Sequence, residues 1–319
     1  MRILFAGTPE IAVPSLQLLN DSQHEVVGVL TAPPRAKGRG RSVLPSPVGA
    51  QAERLGLPIL AFESLKAEAR QAVAELQPEI LVVAAYGKIF GPKFLQLFSA
   101  GGINLHPSLL PRHRGPAPIP ATILSGDEFA GLSVQRIALE MDAGDLLQQE
   151  KRRLDGSETT ASLYSWAAER GAELVLLALD QIAKGVETPR PQNHQDASYC
   201  HLIQKQDGCI DWSLSAQEIH RRVRAYNPWP GAFTHFKAAR LTIWESCIID
   251  EQEFHSDAAA AASTGTILQI DRTHGILVQT GKGVLSVLHL QLAGKKALDW
   301  KSFVNGHSGL SGSVLGGDT

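Results

Sequence analysis

Short apolar runs alternate with helical patterns through the first half of the chain, and this alternation limits the possible folds more than any other feature. The predicted strands are residues 3–6, 26–30, 80–85 and 103–105, and the predicted helices cover residues 11–19 and 48–55. Strands that alternate with helices form a mostly parallel sheet with helices on both faces. We therefore expect a Rossmann-like α/β fold, whose binding sites lie beyond the carboxyl ends of the strands.

The length of the chain favours two domains, because 319 residues exceed the size at which a single core is usual. A helical pattern over residues 159–184 is expected to close a first domain of residues 1–185. Residues 186–206 carry prolines and show no sustained period, so they are expected to form a linker. Residues 207–319 then make up the second domain.

The second domain differs from the first in its pattern of apolar residues. Its short apolar segments, each bounded by turn residues, are 233–236, 241–249, 265–270, 275–279 and 284–292, and a helix is predicted at 215–224. Five such strands indicate a small OB-like β-barrel, a fold that often binds polynucleotides.

Composition argues against several classes of protein. A net charge of -2, with 44% hydrophobic and 19% charged residues, is ordinary for a globular protein and identifies no partner. The three cysteines form no Cys-x-x-Cys pair, which argues against a disulfide framework or thiolate zinc site and suits the cytoplasm. No apolar stretch approaches about 18 residues, so we expect no membrane span and no export signal. The turn after the first strand lacks the Gly-x-Gly-x-x-Gly pattern of nicotinamide dehydrogenases.

Three polar side chains are candidates for one site. Asn104 and His106 are alternate residues of a predicted strand, so they project from the same face near its carboxyl end. Asp142 follows a β-like segment at residues 132–139, and a neighbouring strand would return it to that place. Each residue alone is more often structural, as a turn cap, a core imidazole or a solvated carboxylate. Together, an amide, an imidazole and a carboxylate suit group transfer at a carbonyl carbon.

A basic segment follows the second predicted strand. Its cations, which alternate with small residues, are Arg35, Lys37, Arg39 and Arg41. In an extended chain all four would point one way and suit a row of phosphates. A solvated, flexible loop is the alternative for an isolated run of this kind.

Eight short strings carry a resemblance to a known family. They are FAGTPE at 5–10, GRS at 40–42, AYGKI at 85–89, NLHPSLLP at 104–111, MDAGD at 141–145, DGCIDW at 207–212, RAYNPWPGA at 224–232 and LAGKK at 292–296. With these strings the chain resembles the methionyl-tRNA formyltransferases, within the wider group of formyl-tetrahydrofolate-dependent transferases, over residues 2–306. The string SLLP alone would indicate only the wider group, whereas the strings of the second domain are similar to those of the tRNA enzymes.

The resemblance implies one-carbon transfer from formyl-tetrahydrofolate to the α-amino group of methionyl initiator tRNA, for translation initiation. Asn104, His106 and Asp142 match the catalytic residues of the family. An oxyanion that forms at the formyl carbon would be stabilised by the Asn104 amide and a protonated His106. Asp142 would favour the imidazolium and assist proton movement from the amine to the folate nitrogen. No metal is implied.

The resemblance also implies where the substrates bind. The pterin and formyl pocket is expected around Tyr86, Gly87, Lys88, Ile89, Ser108, Leu109, Leu110 and Pro111. The basic segment from Arg35 to Arg41 is expected at the acceptor end of the tRNA, and the barrel offers a second RNA surface. The protein is expected to be a cytoplasmic monomer with no membrane partner. Tyr226 and Trp229 are interpreted as aromatic core beside a proline-rich turn.

Two other functions remain open at this stage. The first domain alone would support formylation of a small amine such as an amino sugar nucleotide, although the basic segment argues for a polynucleotide. A catalytically silent RNA-binding protein would use the same basic segment and barrel.

Overall fold

The computed structural model describes residues 1–37, 42–249 and 262–316, which form two compact units. The first unit comprises Met1–Ile119, Glu128–Leu154 and Ser162–His201. The second comprises Pro120–Asp127, Asp155–Ala161 and Leu202–Thr319. Each unit has its own hydrophobic core, so each is described separately.

A mostly parallel sheet organises the first unit. Its strands are β1 (Arg2–Gly7), β2 (Glu25–Thr31), β5 (Ile59–Ala61), β6 (Ile80–Ala84), β7 (Gly102–His106), β8 (Phe129–Arg136) and β9 (Leu146–Arg153). Their order across the sheet is β5-β2-β1-β6-β7-β8-β9. The first five strands of this order pair in parallel, while β8 and β9 extend the sheet antiparallel. The mostly parallel α/β sheet predicted from the sequence is confirmed.

A short hairpin and the helices complete this half of the chain. The hairpin pairs β3 (Arg35–Lys37) with β4 (Ser42–Leu44). The helices are α1 (Val13–Asn20), α2 (Pro47–Leu55), α3 (Ala67–Glu75), α4 (Pro92–Leu95), α5 (Pro118–Ser125) and α6 (Thr160–Lys184).

Local chemistry sets several of these boundaries. The predicted helix at 11–19 starts as a 3-10 turn, Glu10–Ala12, and becomes α-helical at Val13. Pro14 lacks a backbone N–H, so an α-helix accepts it only in the first turn. Helix α2 begins after Ser46, whose hydroxyl accepts a hydrogen bond from the Gly49 N–H.

The second unit is an antiparallel, strand-rich structure, as predicted. Its strands are β10 (Ala232–Phe236), β11 (Ala239–Ile249), β12 (Ile267–Asp271), β13 (Gly275–Gln279), β14 (Val284–Leu292) and β15 (Leu298–Asp299). They follow the order β10-β11-β14-β13-β12, with β15 paired to β14. Helices α7 (Ala216–Ala225) and α8 (Trp300–Asn305) belong to the same unit. Its core includes Trp212, Ile243 and Leu285.

The two aromatic residues at the proline-rich turn have different environments. Tyr226 is buried, as expected. Trp229 is 53% exposed, so its interpretation as a core residue is wrong. Trp229 stands between Pro228 and Pro230 in a turn before β10, and a turn at the surface leaves its ring in contact with solvent.

Candidate active site

The carboxyl end of β7 supplies two of the three predicted catalytic side chains. Asn104 and His106 are alternate residues of this strand and therefore point to the same face. Asn104 is half-buried, and His106 is 4% exposed. Strand β6 runs parallel beside β7, with Val83 next to Asn104, so the loop after β6 lies at the same edge of the sheet.

Asp142 contacts both of these residues. Its Oδ1 accepts hydrogen bonds from the Gln135 Nε2 at 3.0 Å and the Asn104 Nδ2 at 3.5 Å. Its Oδ2 accepts from the Gly115 N–H at 2.9 Å and lies 3.5 Å from the His106 Nδ1. The structure thus brings the amide, the imidazole and the carboxylate together.

Asp142 reaches the site because the chain folds back after β8. Strand β8 runs antiparallel to β7, so Arg136 at its end pairs with Ile103 near the start of β7. The loop that follows must return toward the carboxyl end of β7. Gly144 permits this return, since a Cβ at that position would lie 1.8 Å from the Arg136 carbonyl oxygen.

The hydrogen bonds of His106 define its resting form. Its Nε2 lies 2.9 Å from the His113 carbonyl oxygen, which can only accept, so Nε2 carries a hydrogen. Burial lowers the pKa of His106 by more than the nearby Asp142 carboxylate raises it. The resting imidazole is therefore neutral, with the lone pair of Nδ1 on the side of Asp142. This differs from the protonated imidazole expected from the sequence.

Residues that the sequence did not single out surround this group. Arg114 is completely buried and donates hydrogen bonds to Gln192, to the Glu140 carboxylate and to the Tyr199 hydroxyl. The backbone of Arg114 pairs with the segment around Tyr199. Gln192 and Tyr199 come from the segment interpreted as a linker, which carries no periodic signal that would have revealed them.

The stretch after β6, expected at the pterin pocket, has open and unsatisfied groups. The Tyr86 ring is buried, and its hydroxyl has no hydrogen-bond partner among the described residues. Gly87 has a φ of +78°, and no heavy atom lies within 4 Å of where its Cβ would be. Ile89 is 82% exposed. The Lys88 Nζ donates a hydrogen bond to the Phe62 carbonyl, which connects the loop after β6 to the segment after β5.

Hydrogen bonds to side chains of β8 and β9 hold the backbone of the other expected pocket segment, Ser108 to Pro111. The Ser108 carbonyl and the Leu110 N–H both bond the Ser133 hydroxyl on β8, at 2.7 and 3.2 Å. The Leu110 carbonyl accepts from the Gln149 Nε2 at 2.9 Å. These bonds fix the backbone at Ser108 and Leu110. Leu109 and Pro111 are half-buried.

Only part of the basic segment lies within the described residues. Arg35 is exposed and begins β3, where it pairs with Leu44 of β4. Lys37 ends β3, while Arg39 and Arg41 lie outside the described residues.

The described ranges hold neither a cluster of metal ligands nor a membrane-spanning helix. Within residues 1–37, 42–249 and 262–316, no three histidine, cysteine, aspartate or glutamate side chains converge as metal ligands. Among the helices of those ranges, none combines the length and the apolar character needed to cross a bilayer.

Family models match both parts of the chain. The formyl transferase model matches residues 1–179. The model of the formyl transferase C-terminal domain matches residues 202–308. The methionyl-tRNA formyltransferase of Treponema denticola is 43% identical over 314 residues, which are 96% of this chain and 97% of the relative.

Solved structures with low sequence identity share the fold. An N-formyltransferase of Helicobacter canadensis, in complex with folinic acid and dTDP-3-aminofucose, has a TM-score of 0.64 at 17% identity, over 89% of this chain and 98% of that chain. A methionyl-tRNA formyltransferase of Clostridium thermocellum has a TM-score of 0.55 at 15% identity, over 78% of this chain and 94% of that chain.

Gly144→Ala tests the tight return of the Asp142 loop. We expect it to lower the free energy of unfolding by about 2–3 kcal/mol, because the added methyl group meets a backbone carbonyl that cannot move freely. Denaturant unfolding measures this. Gly91→Ala is the control, since no heavy atom lies within 4 Å of its Cβ position. Equal stabilities of the two variants would contradict the proposed role of Gly144.

Proposed function

The chain belongs to the methionyl-tRNA formyltransferases of the formyl transferase family, and we propose that Asn104, His106 and Asp142 are its catalytic residues. Its activity is the transfer of a formyl group from formyl-tetrahydrofolate to the α-amino group of methionyl initiator tRNA. The observation that carries the residue assignment is the convergence of the three side chains, with Asp142 within 3.5 Å of both partners.

Asn104 provides the hydrogen bond to the carbonyl oxygen at which negative charge develops. Its Nδ2 makes only a long contact, 3.5 Å, with Asp142, so the amide retains donor capacity. A donor of this kind typically contributes about 3–4 kcal/mol to the stability of a transition state.

His106 and Asp142 move the proton. The neutral imidazole presents its Nδ1 lone pair to the site, where it accepts a proton from the attacking amine. A proton on Nδ1 then lies beside the Asp142 Oδ2, whose negative charge stabilises the imidazolium. The same proton passes to the leaving nitrogen, which restores the neutral ring.

The residues after β6 fit a flat, amide-bearing ring. The buried Tyr86 hydroxyl needs a hydrogen-bond partner, Gly87 allows close approach of its backbone, and Ile89 offers exposed apolar surface. When bound there, formyl-tetrahydrofolate supplies the formyl group and leaves as tetrahydrofolate. We assign residues 108–111 to the other wall of this proposed pocket, as the resemblance implies.

The basic segment and the second domain are the proposed tRNA surfaces. The β3–β4 hairpin follows β2, whose carboxyl end lies at the same edge of the sheet as that of β7. Arg35, Lys37, Arg39 and Arg41 would contact the phosphates of the acceptor end. We assign residues 1–185 to catalysis, 186–206 to the linker and 207–319 to tRNA binding. Exposed lysines of the last region include Lys237, Lys295 and Lys296.

We also propose that the protein acts as a monomer in the cytoplasm. The family resemblance supports both statements, and three free cysteines suit a reducing compartment.

A comparison of acceptors tests this function. We expect rapid formylation of charged initiator tRNA, much slower formylation of charged elongator tRNA and none of a free amino sugar nucleotide. Radiolabelled formyl transfer measures all three, and His106→Ala should lose at least about a hundredfold in kcat, as expected for an acid–base group. Preference for the amino sugar nucleotide would reverse the tRNA assignment, and an unaffected His106→Ala would remove the catalytic assignment.

Arg35→Ala tests contact with the tRNA backbone. Loss of one phosphate contact should reduce the slope of log affinity against log salt concentration by about 0.7, measured by tRNA binding between low and high salt. The control is Arg54→Ala, because Arg54 is exposed in the last turn of α2, away from the carboxyl ends of the strands. Equal slopes for wild type and Arg35→Ala would place Arg35 outside the interface.

A further inference from the structure

We propose that Gln192 is a positioning residue which, through Gln135, links the buried cation Arg114 to Asp142 and aims the Asp142 carboxylate at His106. The inference deepens the proposed function and rests on the catalytic assignment of Asp142. It adds a role for two side chains that do not contact the reacting atoms.

The positive charge of Arg114 sets the direction of the first bond. Its guanidinium can only donate, and its Nε and Nη2 lie 3.2 and 2.8 Å from the Gln192 Oε1. The orientation of the Gln192 amide is therefore fixed, with its NH₂ group on the far side from Arg114.

The NH₂ group of Gln192 then holds the Asp142 loop. Its Nε2 lies 2.9 Å from the Asp142 carbonyl oxygen, 2.7 Å from that of Gly144 and 3.1 Å from the Gln135 Oε1. Because Gln135 accepts through its oxygen, its own NH₂ group is left to donate, and its Nε2 lies 3.0 Å from the Asp142 Oδ1. One path of donors therefore runs from the cation through Gln192 and Gln135 to the carboxylate, while the two N–H groups of Gln192 are shared among three acceptors.

This direction has an electrostatic consequence. Hydrogen bonds that run one way polarise one another, and those that end on a carboxylate favour its charged form. With Oδ1 held by Gln135, the other oxygen of Asp142 faces the Nδ1 of His106 at 3.5 Å. Asp142 also has a φ of +51°, a conformation that the surrounding bonds must maintain.

Burial makes the chain of bonds costly to break. Arg114, Gln135 and Gln192 are all buried, so water does not replace a lost partner. Backbone hydrogen bonds fix the chain both before and after Gln192. Residues Leu146 and Arg190 exchange two hydrogen bonds at 2.8 and 2.9 Å, and the Arg114 N–H donates to the Ser198 carbonyl at 2.8 Å.

Other ionisable groups face this site and contribute to its pH dependence. The charge of Asp142 raises the pKa values of both His106 and Cys200. Glu140 and His194 contact the guanidinium of Arg114. His113 lies close enough to His106 to affect its pKa. The test compares variants at Gln192 and Gln135, because only shifts of the pH profile caused by substitutions at these two positions bear on the proposal.

Two substitutions separate positioning from packing. Gln192→Leu removes every polar contact of the side chain. Gln192→Glu keeps its size and its pairing with Arg114 but cannot donate to Gln135 or to the two carbonyls. We expect both to lower kcat by about 10- to 100-fold, by comparison with metal sites, where removal of the hydrogen-bond partners behind the ligating side chains costs that much. The KM values for the folate and the charged tRNA should stay within about twofold, because the Gln192 side chain is buried and bonded to protein groups.

The pH profile provides a second readout. A misplaced Asp142 carboxylate stabilises the charged His106 ring less, so the pKa of His106 falls and the acidic limb of kcat should move to lower pH in both variants. Gln135→Leu should do the same. The double variant Gln135→Leu/Gln192→Leu should lose no more than about twice the larger single effect, because the two side chains act in one chain of bonds.

A matched control distinguishes this effect from general loss of packing. Gln148→Leu breaks another amide–amide hydrogen bond, 2.7 Å from the Gln148 Nε2 to the Gln181 Oε1, in the same unit. It should leave kcat and the pH profile unchanged, and thermal unfolding shows whether each variant is folded. A wild-type kcat and pH profile in Gln192→Glu, or additive losses in the double variant, would overturn the proposal. If either of these results were found while His106→Ala was inactive, only the role of Gln192 would be rejected. The assignment of Asn104, His106 and Asp142 as catalytic residues would stand.

Discussion

The hydrogen bond from the His106 Nε2 to the His113 carbonyl is the interaction on which the rest of the site depends. It fixes which nitrogen carries the hydrogen and leaves the lone pair of Nδ1 on the side of Asp142. Burial of the ring adds the second condition, because desolvation disfavours its charged form. Together, these conditions make His106 a neutral base whose conjugate acid has a carboxylate within reach.

The loop that accepts this bond is itself held by distant parts of the chain. The His113 N–H donates to the Ser198 hydroxyl at 2.9 Å, and the Gly115 N–H donates to Asp142. At Gly115 a Cβ would lie 2.4 Å from the Cys200 carbonyl oxygen, so the close approach of these two segments requires glycine. Segments that are far apart in the sequence therefore fix the geometry around one strand end, and no single motif contains it.

This division explains what the sequence predicts and what it does not. Strands β1 and β6 are continuous apolar runs, and the alternate positions of Asn104 and His106 on β7 follow from strand geometry alone. Gln192 is different, because it is one glutamine in an aperiodic stretch and its partners are 48 to 78 residues away. The resting charge of His106 could not be predicted for a related reason, since the burial that lowers its pKa depends on the whole fold. Strand β9 gave no clear signal, because its second half is polar and exposed at the sheet edge.

Nitrogen NMR of histidine-labelled protein tests the central claim most directly, with the His106 signals assigned by their loss in His106→Ala. Because burial lowers the pKa of His106 below its ordinary value of 6.5, the ring should be neutral at pH 7, carry its hydrogen on Nε2 and become charged only as the pH falls further. Asp142→Asn should lower this pKa again, since the carboxylate raises it. A ring that is charged at pH 7, or neutral with its hydrogen on Nδ1, would contradict the account.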